Sequence, residues 1–141
     1  MDTDIVAELT DVLLFFYDSF TSWENSVIRS GDLTVSEVHA IEALGLYGTM
    51  NMKSLANKLG VTTGTTTVTV DRLESKNYAR RESIKEDRRV YLISLTEKGE
   101  KAFAEHHRLH LKLTEQMVSC LEKDEAKQLI AIIKKINKEI F

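Results

Sequence analysis

The stretch "GVTTGTTTVTVDRLESKNY", Gly60 to Tyr78, decides how the rest of the chain is read. Six of the nine residues from Val61 to Thr69 are threonine. Threonine is stiff at χ1 and favours pleated surfaces, so propensity alone points to a strand. The flanks point the other way. "LANKLG" before it and "VDRLESKNY" after it keep the three-and-four spacing of a helix face. A short helix over "TMNMKSLANKLG", a glycine turn at Gly60 and a second helix make a helix-turn-helix. In that motif the second helix lies in the DNA major groove with its first residues at the base edges. Val61, Val70 and Leu73, joined by Thr66, are expected on the inner face. Thr62, Thr63, Thr65, Thr67 and Thr69 are then left at the N-terminus or on the outer face. There a hydroxyl can meet a phosphate or base, and a methyl can meet thymine. Gly64 lets the backbone come close to a duplex. A strand with exposed threonines is the rival reading.

Working outward, "YARRES" and "RVYLISL" read as strands joined by the loop "IKEDR". "GDLTVSEVHAIEALGLYG" reads as a helix over about 36–47, with Thr34 or Ser36 as cap and Gly48 as stop. The N-terminal segment sets Ile5, Leu9, Val12, Phe16, Phe20, Trp23 and Val27 on one helix face. Leu13, Leu14, Phe15 and Tyr17 widen that stripe until the helix is apolar nearly all round, which calls for cover on several sides. "TEKGEKAFAEHHRLHLKLTEQMVSCL" is helical. The last helix aligns Leu129, Ile132, Ile133, Ile136 and Ile140. The fold expected is mainly α with a small β-hairpin wing, three short helices before it and long helices on both flanks.

The 141 residues fit one domain, with 29% charged and 43% apolar residues, an ordinary soluble composition. No apolar run is long enough to span a bilayer, so a cytoplasmic protein with no membrane partner is expected. Cys120 is the only cysteine, which rules out an intrachain disulfide. The net charge of −3 hides an asymmetry: residues 1–52 hold nine acids and one base, Arg29. Arg72, Lys76, Arg80, Arg81, Lys85, Arg88 and Arg89 crowd into eighteen residues, a local basic patch suited to nucleic acid. Catalysis is not expected: there is no P-loop, no dinucleotide glycine motif and no nucleophile–base pairing.

The run L-A-x-x-L, G-T-x-T, x-L-E-x-K-x-Y, D-R-R and L-T-E-K-G resembles the core of the MarR family of bacterial transcriptional regulators. The resemblance implies a winged helix-turn-helix lobe over about 33–100, and dimerisation helices over about 1–30 and 101–141. It further implies an effector-responsive repressor that binds a pseudo-palindromic operator on double-stranded DNA as a homodimer. It assigns Arg89 to the minor groove and Asp87 to holding its guanidinium, and Arg88 becomes a phosphate contact. A narrow A·T-rich minor groove concentrates negative potential and attracts arginine, which agrees. Arg72 joins the DNA-binding set. Thr66 and Val68 depart from the family, which often has a larger apolar and a polar or basic residue there. A module that keeps the winged-helix shape without binding DNA is the alternative from another class.

His106 and His110 stand i, i+4, a bidentate metal spacing. In the zinc-responsive branch of the family such a pair joins a glutamate on the first helix and a histidine on the second, which makes Glu24, His39, His106 and His110 candidate zinc ligands. No cofactor is otherwise required. "SEVHAIEALG" and the H-x-x-x-H pair also resemble the repressors of fatty-acid synthesis, which answer to acylated carrier protein. Histidines held by hydrogen bonds at an interface are the third possibility. The effector is therefore open among a metal, an acyl-carrier protein and another small molecule.

Overall fold

A computed structural model describes residues 2–28 and 31–141. Arg29 lies outside the described residues. Among the described residues, six helices and three strands follow one another: α1 (Thr3–Ile28), α2 (Val35–Tyr47), β1 (Met50–Asn51), α3 (Met52–Leu59), α4 (Thr63–Ser75), β2 (Ala79–Ser83), β3 (Tyr91–Leu95), α5 (Glu97–Val118) and α6 (Lys123–Ile140). The chain divides into one compact unit through Phe103 and a second from Ala104 to Phe141.

The threonine-rich stretch is helical, as its flanks require. Thr62 caps α4, its Oγ1 accepting the Thr65 N–H at 3.2 Å. Gly60 closes α3 at φ 67°, a left-handed conformation that glycine adopts without strain. At the far end, the Tyr78 N–H returns to the Leu73 carbonyl at 2.8 Å, with Asn77 left-handed at φ 65°.

Thr34 is the cap of α2 and forms a full capping box. Its hydroxyl accepts the Glu37 N–H, and Glu37 Oε2 accepts the Thr34 N–H at 3.0 Å. The core of the first unit gathers Ile41 and Leu44 of α2, Leu55 of α3, Val70 and Leu73 of α4, and Ile93 and Leu95 of β3. Leu55, Val70 and Leu73 are among the positions that the helix periodicity marks as inward.

The wing is larger than the hairpin expected from sequence. β2 pairs antiparallel with β3 from Ala79↔Leu95 to Ser83↔Tyr91. A third strand, β1, pairs on the other side of β3 through Met50↔Ile93 and Asn51↔Leu92. Two residues carry no readable alternation, so "TMNMKSLANKLG" reads as one helix although its start is sheet. Asn51 then caps α3 by accepting the Ser54 N–H at 2.8 Å.

In the second unit, α6 leaves Leu129, Ile132, Ile133, Ile136 and Ile140 exposed. In the first unit, α1 likewise exposes Ile5, Leu9, Val12, Leu13, Leu14, Phe15, Phe16 and Tyr17, each by at least half of its surface. No described helix is long and apolar enough to cross a membrane.

Candidate nucleic-acid interface

The first turns of α4 separate into two faces. Thr66, Val70 and Leu73 are fully buried, while Thr62, Thr63, Gly64, Thr65 and Arg72 are exposed and Thr67 is half-buried. Two expectations need correction. Val61, assigned to the inner face, is 44% exposed, because it sits in the turn before the helix periodicity begins. Thr69, assigned to the DNA-binding face, is only 5% exposed, and its hydroxyl donates to the Thr65 carbonyl at 3.2 Å. The helix turns about 100° per residue, so Thr69 shares the inward side with Thr66 and Leu73.

A buried threonine in a helix needs a partner for its hydroxyl, and the carbonyl four residues back supplies it. Thr66 donates to the Thr62 carbonyl at 2.9 Å and Thr67 to the Thr63 carbonyl at 2.8 Å. This explains how so β-prone a segment persists as helix. The hydroxyls of Thr66, Thr67 and Thr69 are satisfied along the helix itself, and their methyls remain for packing or contact.

The tip of the wing holds Asp87, Arg88 and Arg89. The Arg89 backbone N–H donates to Asp87 Oδ1 at 3.0 Å, and its guanidinium reaches Oδ1 at 3.2 Å and Oδ2 at 3.5 Å. The Arg89 backbone bond first, then its side chain, hold the Asp87 carboxyl below the usual carboxylate range. Arg89 remains 91% exposed at its side chain. The carboxylate thus fixes the root of the guanidinium and leaves its outer face to solvent. Arg88 is also exposed.

Not every base in the patch is available. Arg81 Nε donates to Glu74 Oε1 at 2.5 Å, and its Nη2 bonds Asp71. Arg81 therefore braces β2 against α4. Lys76 is a second brace: its Nζ donates to Glu37 Oε2 at 2.8 Å, and Glu37 is 1% exposed. Both braces escape a sequence reading that counts bases without their partners. The S/T-x-x-E spacing of Thr34 and Glu37 was the one available signal for a special role of that glutamate.

The four histidine-site candidates fall into two pairs, each within its own unit. His39 Nε2 and Glu24 Oε1 share a hydrogen bond of 2.7 Å in the first. In the second, His106 and His110 bring their Nε2 atoms to 3.0 Å with rings edge to face.

A helix-turn-helix with an exposed second-helix N-terminus, beside a β wing tipped by a carboxylate-held arginine, defines a winged-helix DNA-binding protein. Comparison with known proteins agrees. The MarR family model matches residues 33–91. The uncharacterized HTH-type transcriptional regulator YfiV of Bacillus subtilis (strain 168) is 30% identical over 105 residues, 72% of this chain and 66% of that protein. Among solved structures, FabT of Streptococcus pneumoniae in complex with DNA aligns over 94% of this chain and 95% of its own, with a TM-score of 0.84 at 24% identity. A MarR family protein from Bacillus stearothermophilus aligns over 99% of this chain and 98% of its own, with a TM-score of 0.90 at 22% identity. The chain belongs to the MarR family of DNA-binding transcriptional regulators.

Proposed function

We propose that this regulator is a repressor that binds a pseudo-palindromic operator as a homodimer. In this reading α4 enters the major groove and Arg89 the flanking minor groove. One observation carries it: the exposed Thr62–Thr65 end of α4 and the Asp87-held Arg89 are both free of the core and both lie in the first compact unit. Helix N-termini favour phosphate, and a fixed arginine suits a narrow groove. FabT, solved with DNA, has the same fold. The apolar surfaces of α1 and of α6 support a second copy as their cover, since burying each Leu, Ile or Phe contributes about 1.5–3 kcal/mol. Mobility shift on the chain's own upstream region, at two salt concentrations and against random duplex, tests the reading. Preference for the upstream region at both salts is expected. Equal, salt-sensitive binding to both duplexes overturns it, and no binding favours an interaction module without DNA affinity.

A second reading adds zinc as effector, favoured by the His106–His110 pair. Two imidazole nitrogens 3.0 Å apart on one helix face suit two positions of a tetrahedral ion, which takes nitrogen and carboxylate donors readily. Glu24 and His39, hydrogen-bonded to each other within the first unit, are a second pair of donors of the same chemistry. Zinc titration into metal-free protein, read by operator affinity, is to be run on the parent chain and on His106→Ala, His110→Ala, His39→Ala and Glu24→Gln. An affinity indifferent to zinc, with no metal retained on desalting, removes this reading. Acylated carrier protein in the same assay tests the remaining effector class.

A further inference from the structure

We propose that Val68 reads the C5 methyl of a thymine, and that apolar contact supplies much of the base discrimination in the first turns of α4. The proposal rests on the operator-binding reading and names what that site selects.

Val68 is 49% exposed, one helical turn after Gly64 and one before Arg72, on the side of α4 that faces away from the core. No core residue needs it there. A β-branched apolar side chain in the open is a weak helix former, so nothing local selects it.

The usual polar readers are missing from the turns that precede it, and Arg72 stands one turn beyond. From Gly60 to Asp71 there is no Arg, Lys, Asn or Gln. Bidentate reading of guanine by Arg or Lys, and of adenine by Asn or Gln, is therefore unavailable to these turns. Asp71 could accept from cytosine, but it is bonded to Arg81. Most of the threonine hydroxyls are also engaged, and only Thr63 and Thr65 keep a hydroxyl proton to donate. Thr66, Thr67 and Thr69 donate to carbonyls within the helix, and Thr62 Oγ1 donates to Thr65 Oγ1 at 3.1 Å. A hydroxyl that has donated its proton can still accept from an exocyclic amine, but it cannot donate to guanine O6 or N7. Beyond the Thr63 and Thr65 hydroxyls, this face presents methyl groups and acceptors. In the major groove, thymine offers a methyl and its partner adenine an N6 amine, so an A·T pair is complementary to both. Val68 is the exposed residue within α4 that supplies methyls alone.

The test begins with selection of a tight duplex from a random pool by the full-length chain. Each thymine of the half-sites is then replaced by deoxyuridine, which removes only the C5 methyl. Affinities are measured by fluorescence anisotropy for the parent chain and for Val68→Ala, with thermal melting to confirm folding. One thymine in each half-site is expected to respond, weakening parent binding about fourfold per half-site, the scale of one methyl withdrawn from an apolar neighbour. Val68→Ala should bind the thymine duplex more weakly and lose the response to deoxyuridine. Val68→Thr, close in shape, keeps one methyl and should keep part of the response. Indifference of the parent chain to deoxyuridine at every position overturns the proposal. So does a deoxyuridine loss that persists undiminished in Val68→Ala. Failure to enrich any duplex over random DNA overturns the operator reading itself, and it appears before any thymine is replaced.

Discussion

Substituting Gly64 by alanine should make the protein more stable and a poorer DNA binder. Gly64 is the second residue of α4. A Cβ built there meets only Thr62 Oγ1, at 3.9 Å, an ordinary van der Waals distance. The fold therefore has no steric need for glycine at this position. Glycine within a helix costs roughly 0.5–1 kcal/mol relative to alanine, through backbone entropy. The lower part of that range applies so near the cap. For a domain of this size the gain corresponds to a rise in melting temperature of about 1–4 °C. On DNA the same methyl would stand where the helix backbone approaches the duplex. Pushing the helix off a mainly apolar base contact costs on the order of 1 kcal/mol, or about fivefold in affinity. Circular dichroism melts and anisotropy titrations on one preparation separate the two effects. Unchanged or tighter DNA binding alongside the stability gain would refute close approach at Gly64.

Arg89→Ala should weaken operator binding about tenfold, with the loss concentrated on duplexes whose flanks are A·T-rich; equal losses on G·C-rich flanks would remove shape readout. Asp87 has a folded pKa held below its ordinary 3.8, so its grip on Arg89 is complete above that value and fades only as pH falls through the lower folded one. Wing order followed by the Arg89 side-chain NMR signal should accordingly stay flat from about pH 8 to 5, and Asp87→Asn should loosen it at every pH. Lys76→Ala strands the buried Glu37 carboxylate, whose Oε1 already has no hydrogen-bond partner. Breaking a fully buried pair costs about 3–5 kcal/mol, and because Lys76 keeps 30% exposure the lower end is expected in urea denaturation. Ile133→Glu places a charge on the apolar face of α6 and should shift sedimentation from dimer to monomer, while a stable dimer would assign that face elsewhere.

Much of this architecture was legible in the sequence, because apolar spacing in α1 and α6 is long enough to fix the helix and its stripe, and cap and stop residues mark α2. Threonine content misled at the level of propensity and was outvoted by the periodicity of Val70 and Leu73 with their neighbours. The misassignment of Val61 and Thr69 has one cause: the first helical residue sets the phase of every later position. Cap geometry at Thr62 fixes that residue, and composition does not. β1 escaped notice because two residues cannot show alternation. The braces Arg81–Glu74 and Lys76–Glu37 link residues 7 and 39 apart in the chain, and only the fold joins them. At the wing, by contrast, Asp87 and Arg89 are two residues apart, so a local turn suffices and the sequence motif carries the whole arrangement.

Operator recognition by a symmetric pair of chains is tested most directly by hydroxyl-radical footprinting on a selected duplex, with the number of chains bound measured on the same sample. Two chains per duplex are expected, with protected half-sites related by two-fold symmetry and centred about one helical turn, roughly 34–36 Å, apart. Minor-groove protection should flank each half-site and disappear with Arg89→Ala. Uniform protection along the duplex, or a single protected segment bound by one chain, would contradict symmetric operator binding.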